Sequence, residues 1–225
     1  MMVLGIETST RRGSVALAAG GGIVAEAALP EDRTQSAALL PAVEALLAGR
    51  GAAPRDIGGI AAGIGPGSFT GVRLGLATAR GLALDLGIPI RGICSFDALA
   101  SRCPAGEGTI CTLADAHSHG LYAAVYERRG EGIERVREPF VCRPEELPGR
   151  IEGRVFFTGP RLTRMRDALA GLFGGRATFD AGDRFPEASA AALLFESPFA
   201  LPDDPPDSLG PLYLLPGVRG AGRSA

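Results

Sequence analysis

Alternation of apolar and polar positions opens the chain in three short runs. Residues 3–8 form an apolar strand ending on Glu7, and 13–19 and 23–29 follow it, joined by Gly20-Gly21-Gly22, which predicts a three-stranded meander. The period then changes to helical over 36–48, where Leu39, Leu40, Val43, Leu46 and Leu47 share one stripe. Pro41 is read into the first turns of that helix, where its missing N–H matters least. A buried-looking strand over 57–64, a helix rich in small residues to about 87, a strand over 89–94 and a short helix over 96–101 complete this half. The order predicts an α/β domain with a mixed sheet covered by helices.

The helix of small residues is the most informative element. It opens on Gly65-Pro66-Gly67-Ser68-Phe69-Thr70-Gly71-Val72-Arg73-Leu74-Gly75. Pro66 and Gly67 set a turn, and Ser68 can cap the first free amides. Gly67, Gly71, Gly75, Ala79, Ala83 and Gly87 recur every fourth residue. Each interior glycine costs about 1 kcal/mol relative to alanine, so a close approach of another backbone should offset it. Three readings compete: packing on the protein's own sheet, an anion site at the helix start, and contact with a helix of another chain. A phosphate loop of the Gly-Lys-Ser/Thr type is excluded, because the sequence contains no lysine.

The pattern of the opening recurs. Pro104-Ala105-Gly106-Glu107-Gly108 marks a boundary, giving domains 1–104 and 105–225. Beyond it, 109–114 is a strand leading to Asp115, 121–128 a second, and 133–138 a third after Gly130-Glu131-Gly132. Glu7 precedes Gly13 by six residues and Asp115 precedes Gly120 by five. The self-match points to duplication of one domain, although hairpins are common enough to coincide. A strand over 155–158 runs into Gly159-Pro160, a helix over 162–173 follows Arg161 and carries Arg164 and Arg166, and a strand lies around 177–179. A short helix over 188–195, a proline-rich stretch over 198–206, an extended 211–216 and a Gly/Arg tail close the chain.

Composition narrows the chemistry. At 225 residues and 46% hydrophobic, the chain can bury a sizeable core. A net charge of −2 supplies no global field for nucleic acid, and the absence of lysine excludes Schiff-base catalysis by that residue. Cys94, Cys103, Cys111 and Cys142 form no CxxC pair, and neither a signal peptide nor an apolar run of membrane-spanning length is evident, which reads as a cytoplasmic protein with reduced thiols. His117 and His119, the only histidines, could hold zinc with Asp115, but a solvated turn is the ordinary reading. Arg161, Arg164 and Arg166 could touch a nucleic-acid backbone or simply form a solvated helix face.

A duplicated sheet with an acid ending each first strand looks like the actin–Hsp70–sugar kinase superfamily, whose members hold nucleotide phosphates and a metal between two hairpins. Glu7, Thr8, Ser9 and Asp115 occupy the matching places. The first hairpin, Glu7-Thr8-Ser9-Thr10-Arg11-Arg12-Gly13, departs from the usual aspartate and glycine, and its arginines crowd the phosphate approach, which implies a degenerate cleft.

Gly5-Ile6-Glu7-Thr8-Ser9-Thr10, Arg33-Thr34-Gln35, Gly65-Pro66-Gly67-Ser68-Phe69-Thr70-Gly71-Val72-Arg73, Asp115-Ala116 and Tyr213-Leu214 together resemble the TsaB (YeaZ) family. The likeness spans most of the chain and is tightest over the first hundred residues. It implies an actin-like fold and a non-catalytic paralogue of TsaD in the synthesis of tRNA threonylcarbamoyladenosine. It implies TsaD as a heterodimer partner, TsaE and tRNA reached only through the complex, a homodimer when alone, and no cofactor or metal. TsaD carries two metal-binding histidines where this chain has Ser95-Phe96-Asp97-Ala98-Leu99. Arg33 departs from the histidine frequent in the family. The partner-binding residues expected on this basis are Leu40, Val43 and Leu47 of the first helix, with Phe69, Gly71, Val72, Arg73, Gly75, Leu76, Ala79 and Arg80 of the second. The alternative is an ATP-dependent kinase or transferase acting through Glu7 and Asp115.

Overall fold

The computed structural model describes residues 1–31, 35–201 and 209–214. Arg33, Thr34, residues 202–206 of the proline-rich stretch, Leu215, Pro216 and the Gly/Arg tail lie outside the described residues. Two compact units emerge: Met1–Ala98 with Pro186–Tyr213, and Leu99–Phe185.

In the first unit, β1 (Met2–Glu7), β2 (Ser14–Ala19) and β3 (Gly22–Ala28) form the meander, and β4 (Ile57–Gly63) and β5 (Ile90–Ile93) extend it in parallel. The sheet order is β3-β2-β1-β4-β5. Side-chain alternation divides β1 between two cores. Leu4 and Ile6 join Leu39, Val43 and Leu47 of α1 (Gln35–Gly49) and Leu76, Ala79 and Ala83 of α2 (Phe69–Leu86) on one face. Val3 faces the other side, where α5 (Ala188–Leu193) packs so closely that a Cβ on Gly5 would lie 2.1 Å from the Ala188 carbonyl oxygen.

Two sequence expectations change here. The boundary placed at 104/105 moves to Ala98/Leu99, and the stretch carrying α5 returns to the first unit, where it covers the second face of the sheet. Helix α1 begins at Gln35, one residue earlier than expected, which makes Pro41 its seventh residue, within the first two turns and exposed.

The second unit repeats the first. Its strands β6 (Gly108–Asp115), β7 (Leu121–Arg129) and β8 (Gly132–Cys142) are antiparallel, and β9 (Val155–Thr158) and β10 (Ala177–Phe179) add in parallel, in the order β10-β9-β6-β7-β8. Strand for strand this is the first sheet again, the duplicated mixed-sheet α/β arrangement expected from the sequence. A short helix, α3 (Ser95–Ser101), precedes it. Its main helix, α4 (Leu162–Phe173), lays Leu162, Leu169 and Phe173 against Phe157, Leu113 and Val125.

One buried acid organises the end of β10. Asp180 is 5% exposed and accepts hydrogen bonds from the Thr158 hydroxyl at 2.8 Å, Arg184 Nε at 2.6 Å and the Ala181 amide at 2.9 Å. Burial alone would raise its carboxyl, but the bonds from Arg184 and Thr158 outweigh that and hold it below the ordinary aspartate value.

Candidate functional site: the strand-end acids and the outer face of the glycine helix

Glu7 ends β1 with its side chain turned inward and no exposed surface. Oε1 accepts the Ser9 amide at 2.6 Å, and Oε2 accepts the Ser95 hydroxyl at 2.7 Å. The carboxylate fits because β4 offers Gly63, where a Cβ would lie 2.3 Å from Oε2. Burial pushes the Glu7 carboxyl up, and the hydrogen bonds from Ser9 and Ser95 only partly offset it. Its neighbours are engaged as well: the Thr8 hydroxyl donates to the Gly71 carbonyl at 2.7 Å, and the Ser9 carbonyl accepts the Ser68 amide at 2.7 Å. Glu7, Thr8 and Ser9, expected to face a nucleotide, therefore turn these groups toward residues of their own unit. The hairpin tip is tied down too, with Gln35 Nε2 donating to the Arg11 carbonyl at 2.6 Å and Arg12 Nε meeting Glu31 at 2.8 Å.

Asp115 in the second unit follows the same plan. Oδ1 accepts the His117 amide at 2.7 Å, and Oδ2 accepts Arg161 Nη1 at 2.8 Å. Each acid thus gives one oxygen to the amide two residues on and the other to a side chain from a later element. His117 (φ 56°) and Arg161 (φ 63°) are the only non-glycine residues with left-handed backbone among those described, and both sit on this carboxylate. Both histidines are exposed, and no set of three His, Cys, Asp or Glu side chains among the described residues is placed to hold a metal. All four cysteines are buried; burial pushes Cys142 up to about 11 and Cys111 further, so these two thiols are poor nucleophiles.

The glycine ridge faces inward. A Cβ would lie 2.2 Å from the Ser9 carbonyl oxygen at Gly67, 2.1 Å from the Thr8 carbonyl oxygen at Gly71, and 2.2 Å from Thr8 Oγ1 at Gly75. The missing side chains let α2 press on the protein's own β1 hairpin, which corrects the reading of this edge as a contact with another chain. Val43 and Leu47 of α1 and Leu76 and Ala79 of α2 are buried in the same core, Val72 and Gly75 are buried as well, and Gly71 is half-buried. Of the residues expected to meet a partner, Leu40 (46% exposed), Phe69 (47%) and Arg73 stand outside, and Arg80 is half-buried.

Those outer residues belong to a second face of α2. Phe69, Arg73, Ala77, Gly81 and Leu84 are all exposed along it, Leu84 at 64%. At its amino-terminal end the segment after Leu209 arrives from the far end of the chain, with the Leu212 amide bonded to the Ile64 carbonyl at 2.8 Å. Tyr213 then stacks on Phe69 (centroids 5.5 Å apart) and accepts a hydrogen bond from Arg73 Nε at 2.8 Å.

Sequence reasoning missed the partners in each case: Ser95 for Glu7, Arg161 for Asp115, Tyr213 for Arg73. One signal was present. Gly65-Pro66 and Gly159-Pro160 follow the fourth strand of each unit, so Arg161 stands near the repeat position of Gly67 and Ser68.

Comparison with known proteins agrees with this architecture. A family model described as TsaD, tRNA N6-adenosine threonylcarbamoyltransferase, matches residues 6–167. The TsaB proteins of Escherichia coli and Bacillus subtilis are 37% and 34% identical over 68% and 60% of this chain. Those stretches span 67% and 59% of the relatives' own lengths. The structure of YeaZ from Pseudomonas aeruginosa superposes with a TM-score of 0.77 at 26% identity, covering 95% of this chain and 99% of that one. With the duplicated sheet, the strand-end acids and the Gly-Pro-Gly-Ser-Phe-Thr-Gly-Val-Arg helix in place, the chain belongs to the TsaB (YeaZ) family.

Proposed function

We propose that this chain is the non-catalytic subunit of a cytoplasmic complex that makes threonylcarbamoyladenosine in tRNA. It docks a TsaD protein through the outer faces of α1 and α2, with Leu40, Phe69, Arg73 and Arg80 at the contact. It meets TsaE and tRNA only through that complex and pairs with a second copy when alone. The observation that carries the non-catalytic part is the burial of Glu7: its two oxygens are committed to Ser9 and Ser95, leaving no exposed carboxylate in the first hairpin. The names of the TsaB relatives support the pathway. An exposed apolar helix face with an arginine and aromatics is the composition that protein interfaces favour.

The transferase description of the matching family model is the one observation on the side of a catalytic reading. The two readings separate on two measurements. Tagged full-length chain should retain TsaD of the same organism on co-expression, and the purified chain should show no ATP turnover above background. ATP turnover that disappears in Glu7→Gln or Asp115→Asn would overturn the non-catalytic assignment, and failure to retain TsaD would overturn the docking.

A further inference from the structure

The cluster at the start of α2 goes beyond an exposed apolar face. The Arg73 guanidinium lies 3.8 Å over the Phe69 ring and 5.9 Å from the Tyr213 centroid, while its Nε–H is held by the Tyr213 hydroxyl at 2.8 Å. Tyr213 is in turn fixed from below, since Leu209 and Leu212 pack with the sheet core and the Leu212 amide bonds to Ile64. Three consecutive constraints thus orient one exposed cation on a helix surface. Most of the rotamer entropy that a free arginine loses on binding is already lost here. Arg11, Arg12, Arg91, Arg161 and Arg184 each reach a carboxylate within the chain. Among the described residues no carboxylate pairs with Arg73.

We infer that Arg73 is an anchor for a carboxylate of a partner protein, and that Tyr213 is the residue that positions it. The C-terminal segment thereby becomes part of the docking surface. A protein carboxylate fits better than a nucleic-acid phosphate, because the same face continues through Ala77, Gly81 and Leu84, which an apolar helix would cover, and adds only the half-buried Arg80 as a further cation. A charged pair bordered by two aromatic rings is shielded from water and gains strength from it.

The inference rests on the docking reading above and is tested on full-length chain with TsaD of the same organism. Dissociation constants of wild type, Arg73→Gln, Tyr213→Phe and the double variant are measured at low and high salt, with melting temperatures alongside. Arg73→Gln should weaken binding about tenfold, the size of one close charge pair, and should flatten the salt dependence. Tyr213→Phe keeps the stack and removes only the hydroxyl; it should weaken binding less and add nothing once Arg73 is gone. A purely structural Tyr213 would lower the melting temperature and leave affinity and salt slope unchanged, which overturns the inference. Wild-type binding that all three variants match overturns it while sparing the docking; absence of wild-type binding overturns both. Salt-dependent capture of tRNA by the lone chain, lost in Arg73→Gln, would assign the cation to phosphate and overturn it as well.

Discussion

Glu7 and Ser95, 88 positions apart, meet in a buried 2.7 Å hydrogen bond that ties the end of β1 to the start of α3. The bond runs through space cleared by Gly63 on β4. An acid at this point of the fold therefore holds together the hairpin and the following helix from inside, and its ionisation is a property of the core.

The Glu7 carboxyl has a pH signature of defined sign. Burial raises its folded value above the ordinary 4.5, so the stability it contributes is complete below 4.5 and declines as pH rises through the raised value. Glu7→Gln keeps an acceptor for the Ser9 amide and can donate to the Ser95 oxygen, but carries no charge. It should melt at or above wild type at neutral pH, with the difference shrinking as pH falls toward 4.5. Melting curves of both proteins across this range decide the matter, and a difference that stays constant with pH refutes the assignment.

The two kinds of glycine in α2 should respond in opposite directions. At Gly71 a methyl group would lie 2.1 Å from the Thr8 backbone oxygen, which cannot move without displacing the hairpin. Gly71→Ala should cost about 1–3 kcal/mol, as overpacking does. Gly81 has nothing within 4 Å and is exposed, so Gly81→Ala should gain about 0.8–1.0 kcal/mol from helix propensity. Urea unfolding of the pair measures both, and stabilisation by Gly71→Ala would show that the ridge is not held against β1.

Much of this was legible in the sequence, for physical reasons. Leu39, Val43 and Leu47 recur at the spacing of one helix face, and that face is the one buried. The repeated strand–acid–hairpin order marked the duplication because hairpins are local. The glycine ridge announced a close approach but not its partner. Small residues line both long faces of α2, from Gly71, Gly75 and Ala79 inside to Ala77 and Gly81 outside, so the pattern of small residues could not choose between them. The allegiance of α5 was hidden likewise: an alanine-rich helix advertises close packing without naming the sheet, and only Gly5 opposite Ala188 identifies it. Pairings across 46 to 140 positions, such as Asp115 with Arg161 and Arg73 with Tyr213, leave no periodic trace at all.

Asp180 offers the reverse pH dependence to Glu7. Its folded value lies below the ordinary 3.8, because hydrogen bonds from Arg184 and Thr158 outweigh burial, so its contribution is present above 3.8 and lost as pH falls through the folded value. Asp180→Ala should cost about 1.5–3 kcal/mol, the size of hydrogen bonds to a charged group. The gap from wild type should narrow in acid. Chemical denaturation at neutral and acid pH tests this, and an equal gap at both would assign the loss to packing instead.

Arg161 allows backbone strain and ion pairing to be separated. Its φ of 63° is unfavourable for any residue with a Cβ, and its guanidinium holds Asp115 in a partly exposed pair with side-chain exposures of 50% and 31%. Arg161→Ala removes the pair and keeps the strain. Arg161→Gly removes both, and glycine is also preferred over alanine at the N-cap of a helix, the position Arg161 takes ahead of α4. The pair is worth at most about 1 kcal/mol, as exposed pairs are, whereas a left-handed residue costs about 1–2 kcal/mol. Glycine should therefore be more stable than alanine by about 1 kcal/mol, after its extra unfolded-state freedom is counted. It should also fall close to wild type. Equal melting temperatures for the two variants would mean that the backbone at 161 relaxes once the side chain is removed, and the turn after Gly159-Pro160 would then be held in its left-handed form by the Asp115 pair alone.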